Sequence, residues 1–159
     1  AQRAIPRTRG RSVTLARRRS IAILGSTGSI GEQTLDVAAR EHGRLEVVAL
    51  AAGRSLDRLC EQAARWQPRH LALERADDPV RAREQLRAAA PAAEVEVGEG
   101  AAARLAEHSG ADVVVNGIVG AAGLAASLAT LERGATLALA NKETLVIGAA
   151  LVAAALRQG

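Results

Sequence analysis

The residues best suited to chemistry in this sequence are Gly25-Ser26-Thr27-Gly28-Ser29-Ile30-Gly31. Glycine recurs every third position, directly after the apolar run Ile21–Leu24 and directly before a segment with helical spacing. A glycine-rich turn in that place can receive a diphosphate. Gly25 permits the tight turn, Gly28 lets the backbone approach phosphate oxygens, and Gly31 lets helix and strand pack closely. The free N–H groups of a helix N-terminus then face the anion. Thr27 and Ser29 add hydroxyl donors. The spacing is G-x-x-G-x-x-G and not the stricter G-x-G-x-x-G, so its placement carries most of its meaning.

Two further clusters follow apolar runs. The second run ends in Ala51-Ala52-Gly53-Arg54-Ser55, with no Asp or Glu to accept bonds from ribose hydroxyls. Arg54 can instead make charge-assisted bonds to a ribose 2′-phosphate, each contributing about 1.5–3 kcal/mol, and Ser55 can add a hydroxyl. This favours NADP(H) over NAD(H). The third cluster is Leu139-Ala140-Asn141-Lys142-Glu143-Thr144. Strand C-termini line the ligand crevice of parallel sheets, so consecutive polar groups there suggest a site. Lys142 is the only lysine among 21 basic residues, and its compact ammonium can hold a substrate oxygen or phosphate. The competing structural readings are a glycine-rich turn without ligand, a solvated Arg54, and an ordinary loop with Asn141 as N-cap.

These clusters need elements to position them. Strands are expected at Ile21–Leu24, Leu45–Ala51, His70–Leu73, Glu94–Val97, Asp112–Asn116 and Thr136–Leu139. Helices are expected from Ile30 to about Arg40, with Ile30, Thr34, Leu35 and Ala38 on one face. Others run from Leu56 to about Gln67 behind an Ser55 N-cap, and from Pro79 behind Asp78 to about Ala90. Ala101–Glu107, Leu124–Arg133 (closed by Gly134) and Leu145–Arg157 complete the set. Repeated strand–helix units demand right-handed crossovers between parallel strands. Near-continuous apolar strands require helices on both sheet faces. The fold class is α/β: a doubly wound, mostly parallel, Rossmann-like sheet.

Composition bounds the rest. The chain has 159 residues, one domain's worth, with 48% hydrophobic and 24% charged residues. Trp66 is its only aromatic residue, so the core must be Ala, Val, Leu and Ile, which weakens any reading that needs base-stacking platforms or aromatic cages. Seven arginines and no acid fall in residues 1–20; removing those seven charges from the net +4 leaves about −3 for the remainder. Residues 1–19 therefore read as a basic arm without fixed structure, and 20–159 as the domain. The arm could engage nucleic acid, but no reading motif accompanies it. It could equally be an organellar targeting remnant or the product of a misassigned start codon. The missing initial Met suggests a processed chain or a fragment. Leu145–Leu156 is too short to span a bilayer. A single cysteine, Cys60, fits a reducing cytoplasm and shares an apolar helical face with Leu56, Leu59 and Ala63. His42, His70 and His108 are scattered without metal-ligand spacing.

Three motifs in order, Gly25–Gly31, Ile118-Val119-Gly120-Ala121-Ala122-Gly123-Leu124 and Leu139-Ala140-Asn141-Lys142-Glu143, resemble the 1-deoxy-D-xylulose 5-phosphate reductoisomerase family. The resemblance covers Ile21 to Gly159. It implies NADPH-dependent rearrangement and reduction of 1-deoxy-D-xylulose 5-phosphate to 2-C-methyl-D-erythritol 4-phosphate, a step of isoprenoid biosynthesis. It also implies that Thr27, Gly28, Ser29 and Ile30 hold the cofactor's diphosphate region, in the turn that Gly25 and Gly31 shape. Gly53, Arg54 and Ser55 would then hold its adenosine end, Asn141 and Glu143 would contact NADPH, and Lys142 would touch substrate. Ser55 stands where the family commonly has Asn, and Thr144 where it commonly has Ser. The family is roughly twice this length or more, with its metal carboxylates in a following domain. Mg or Mn is therefore expected through residues after Gly159, no catalytic residue lies in this chain, and the complete enzyme is expected to be a homodimer. The alternatives are the NADP domain of another oxidoreductase, such as a semialdehyde dehydrogenase, and a non-catalytic NADP module. Cys60, in an early helix, is wrongly placed for the catalytic cysteine of the former.

Overall fold

The computed structural model describes residues 17–140 and 143–157. Six strands and six helices alternate along the chain. The strands are β1 (Arg19–Leu24), β2 (Leu45–Ala52), β3 (His70–Leu73), β4 (Glu94–Val97), β5 (Val113–Asn116) and β6 (Thr136–Leu139). The helices are α1 (Ser29–Arg40), α2 (Leu56–Trp66), α3 (Pro79–Ala89), α4 (Ala101–His108), α5 (Ala121–Glu132) and α6 (Glu143–Leu156). All pairings are parallel, in the order β4-β3-β2-β1-β5-β6. The doubly wound reading therefore holds. The order reverses between β1 and β5, so the crevice of this sheet opens at their carboxyl ends.

Each face buries its own apolar layer. On one, Ile21, Ile23, Leu50 and Leu71 pack against Leu35 and Ala38 of α1, Leu59 and Ala63 of α2, and Leu86 of α3. On the other, Ala22, Leu24, Val48, Ala49 and Ala72 meet Ala101, Ala102, Leu105 and Ala106 of α4 and Ala126 of α5. A bulge in the β1–β2 ladder, at Ile21/Ala22, explains why the successive residues Val48 and Ala49 share this second face. The many alanines let α4 and α5 approach the sheet closely without aromatic filler.

Several local expectations need correction. Ile30 is 39% exposed and does not belong to the buried face of α1, which consists of Gly31, Leu35 and Ala38. A step of about 100° per residue turns Ile30, one residue before Gly31, away from that stripe. Ser55 occupies the N-cap of α2 but its side chain makes no capping bond. Asp78 does cap, accepting from the N–H groups of Val80 at 3.1 Å and Arg81 at 3.0 Å. Helix α5 begins at Ala121, three residues before the expected Leu124, because Gly120 accepts the first ladder bonds.

Of the basic arm, residues 1–16 lie outside the described residues. Arg19 already belongs to β1, one residue before the expected boundary at Ser20. Asp112 ties this start to β5. Its carboxylate accepts from both the backbone N–H and the hydroxyl of Ser20 at 2.8 Å, while the Ser20 hydroxyl accepts the Asp112 N–H at 2.9 Å. The two Ser20 bonds, aided by Arg17 and Arg19, hold the Asp112 carboxyl below its ordinary range. Arg17, Arg18 and Arg19 bond Asp112, the Leu45 carbonyl and Thr136. This basic cluster sits at the amino edge of the sheet, opposite the glycine turn.

Candidate functional site

The chain leaves β1 into the glycine turn under tight backbone control. The N–H groups of Gly25 and Ser26 both donate to the Ala51 carbonyl at 2.8 Å, folding the turn over the end of β2. Gly25 takes φ +77°, where a side chain would be strained, and a Cβ there would press on the Gly117 backbone at 3.3 Å. Gly31 is more constrained still: a Cβ would stand 2.3 Å from the Gly25 carbonyl oxygen and 2.4 Å from Ser26 Cα. Helix α1 can lie against the turn only because that position has no side chain.

Gly28 is the N-cap of α1, exposed and without any side-chain cap, and the helical ladder starts with Glu32 N–H donating to its carbonyl at 2.9 Å. The N–H groups of the first turn thus precede the ladder and are available to an anion. A Cβ on Gly28 would meet only the Gly25 carbonyl oxygen, at 3.3 Å, so the backbone presents an open face. Thr27 is half-buried and Ser29 exposed at the same rim. This cradle fits a diphosphate.

Two anchors around the turn were not visible in the motif itself. Gln62 of α2 donates its amide to the Ser26 carbonyl at 2.9 Å. Asn116, fully buried at the end of β5, donates to the Gly123 carbonyl at 2.8 Å and the Ser127 hydroxyl at 2.9 Å, and accepts from Ile118 N–H at 3.0 Å. It thereby fixes the loop between β5 and α5. A polar residue closing a Val-Val-Val run was the available signal. The Gly117 N–H continues the ladder onto the Leu24 carbonyl at 2.9 Å, bringing this loop against the glycine turn.

The remaining predicted residues distribute along the same edge. Gly53, Arg54 and Ser55 follow β2, all exposed, one strand from the turn. Asn141 and Lys142 lie outside the described residues, but Ala140 N–H donates to the Asn116 carbonyl at 3.1 Å, so the chain enters that segment beside the β5 loop. Glu143 begins α6. From β2 across β1 and β5 to β6 is three strand spacings, about 14 Å. An extended dinucleotide laid over the edge would meet the Arg54 segment, the glycine turn and the carboxyl end of β6 in succession.

Cys60 packs half-buried against the first apolar layer, beside Leu59 and Ala63, and burial, with Asp57 nearby, raises its thiol above the ordinary range. It behaves as a packing residue. Among the described residues no three His, Cys, Asp or Glu side chains gather where they could hold a metal ion, so these residues do not themselves fit one. No described helix is long and apolar enough to cross a membrane.

The family model of 1-deoxy-D-xylulose 5-phosphate reductoisomerase matches residues 21–149. The reductoisomerase of Beutenbergia cavernae is 53% identical over 138 residues, covering 86% of this chain and 35% of that protein. That of Symbiobacterium thermophilum is 47% identical over 140 residues, covering 87% and 36%. The Zymomonas mobilis reductoisomerase, solved in complex with NADPH, superposes with a TM-score of 0.81 at 36% identity, over 90% of this chain and 37% of that one. A reductoisomerase solved with NADPH, fosmidomycin and magnesium gives the same TM-score at 32% identity, over 88% and 34%. The chain thus spans about a third of the length of the curated relatives it matches. A motif that alone was open to several readings stands here in its required place, on a shared fold and with high identity: the chain belongs to the 1-deoxy-D-xylulose 5-phosphate reductoisomerase family.

Proposed function

We propose that this chain is the NADPH-holding part of a reductoisomerase that converts 1-deoxy-D-xylulose 5-phosphate to 2-C-methyl-D-erythritol 4-phosphate. The observation that carries the proposal is the open, uncapped start of α1 behind a turn whose glycines accept no side chain at Gly25 and Gly31. Thr27, Gly28, Ser29 and Ile30 take the diphosphate, with Gly25 and Gly31 shaping the turn. Gly53, Arg54 and Ser55 take the adenosine end, where the absence of a carboxylate directly after β2 favours a 2′-phosphate. Asn141 and Glu143 contact the nicotinamide half, and Lys142 holds a substrate oxygen. When bound, NADPH supplies the hydride; this chain's part is to fix the cofactor along the carboxyl edge so that its reactive end faces the substrate.

A divalent metal would be held by carboxylates of a longer chain and would supply Lewis-acid chemistry at the substrate, and the protein acts in the bacterial cytoplasm as a homodimer. The bacterial sources of the relatives and the single thiol support that setting. Fluorescence titration tests the cofactor reading. The 159-residue chain is expected to bind NADPH at least tenfold more tightly than NADH, and Arg54→Asp to narrow or reverse that ratio. Equal affinities in the unsubstituted chain refute it. The chain is expected not to oxidise NADPH with 1-deoxy-D-xylulose 5-phosphate and Mg²⁺ or Mn²⁺, whereas the longer protein does.

A further inference from the structure

We infer that Arg75, at the carboxyl end of β3, is a second guanidinium for the ribose 2′-phosphate, sharing cofactor discrimination with Arg54. The inference rests on the NADPH reading above and adds a residue that the glycine and β2 motifs do not contain. It starts from the ladder between β2 and β3, which runs past both strands: Glu74 N–H donates to the Ala52 carbonyl at 3.0 Å and Arg75 N–H to the Gly53 carbonyl at 2.9 Å. Arg75 is therefore held in register beside the Gly53-Arg54 segment.

Alternation along the strand then decides where its side chain goes. Glu74 turns to the α4 face, where its carboxylate accepts from Gly100 N–H at 2.6 Å and Ala102 N–H at 3.2 Å. Leu73 and Arg75 turn the other way. Both line a cavity of about 480 Å³ at the carboxyl edge, together with Arg54, Arg81 and the beginning of α2 at Leu56. Asp57, Asp77 and Asp78 share this cavity, but Asp78 is committed to the N-terminus of α3. Among the described residues, none of the three arginines is in an ion pair with them or with any other acid. Elsewhere in the domain Arg17, Arg44, Arg58 and Arg104 each have a carboxylate partner. Guanidinium groups without an acid partner around one concave site, with Arg75 bonded through its backbone to Gly53, the residue before Arg54, suit a phosphomonoester dianion.

Calorimetric titration of the 159-residue chain with NADPH, NADH, 2′,5′-ADP and 5′-AMP tests this. Arg75→Ala is expected to weaken NADPH and 2′,5′-ADP about tenfold while NADH and 5′-AMP stay within about twofold. Arg75→Lys should recover part of the loss, and the difference should shrink as salt rises. If Arg54→Ala loses the phosphate-dependent affinity and Arg75→Ala does not, Arg75 has no such role while the cofactor reading stands. Equal losses for NADPH and NADH on Arg75→Ala also overturn it, since that is the effect of a displaced loop. A parent chain that does not distinguish the two dinucleotides overturns both readings together.

Discussion

Gly31→Ala sets two physical effects of opposite sign against each other. By helix propensity alone, replacing glycine with alanine inside a helix stabilises by about 1 kcal/mol. The packing at this position says otherwise. The added Cβ would lie 2.3 Å from the Gly25 carbonyl oxygen, 2.4 Å from Ser26 Cα and 2.5 Å from the Ser26 carbonyl oxygen. Contacts between such atoms are comfortable near about 3.5 Å, so the shortfall is about 1 Å at three atoms. All three are backbone, and the Gly25 and Ser26 N–H groups are already anchored to the Ala51 carbonyl, so no rotamer change gives relief. Overpacking of this kind costs about 3 kcal/mol, leaving a net loss of about 2 kcal/mol. For a domain of this size that lowers the melting temperature by about 4–8 °C. Thermal unfolding followed by circular dichroism reads it. Gly43→Ala, where an added Cβ meets nothing within 4 Å, is the control and should stay within about 0.5 kcal/mol. An unchanged or raised melting temperature for Gly31→Ala would show that the turn is not closed against α1 as described.

Two other perturbations test the ends of the sheet. Asp112, whose carboxyl is depressed by its Ser20 bonds, contributes stability that is present above its unfolded pKa of about 3.9 and lost as pH falls through the lower folded value. Asp112→Asn should therefore lower stability at neutral pH and flatten the acid limb of the stability profile below about pH 4, measured by urea unfolding at a series of pH values. Asn116→Leu removes the side-chain bonds to Gly123, Ser127 and Ile118 and should cost about 2–4 kcal/mol in urea unfolding. The same variant should weaken NADPH binding through the loosened loop.

Much of this fold was legible because its signals are local. The apolar run Ile21–Leu24, the Asp78-Pro79 start of α3 and Gly134 after α5 each combine composition with a single conformational demand. The glycine turn was legible for the same reason, since Gly25 and Gly31 answer to neighbours a few residues away. What escaped depends on partners distant in sequence. Gln62 reaches Ser26 across 36 residues, and the Glu74 carboxylate holds the start of α4 from the end of β3. Neither residue type announces such a role. Ile30, grouped with Leu35 and Ala38 on one face, turns instead toward solvent, because a single apolar residue at a helix start does not fix which way the helix faces. Arg75 was invisible for another reason: only the sheet register brings it beside Arg54.

The most direct test of the central claim is the pattern of backbone amide shifts when NADPH is added to the ¹⁵N-labelled 159-residue chain. The largest changes are expected at Thr27–Gly31, with further changes at Gly53–Ser55, the loop from Gly117 to Gly120, and Asn141–Glu143. The amino edge around Ser20, Asp112 and Thr136 should remain unmoved. Changes concentrated at that edge, or none at the start of α1 under saturating NADPH, would contradict it.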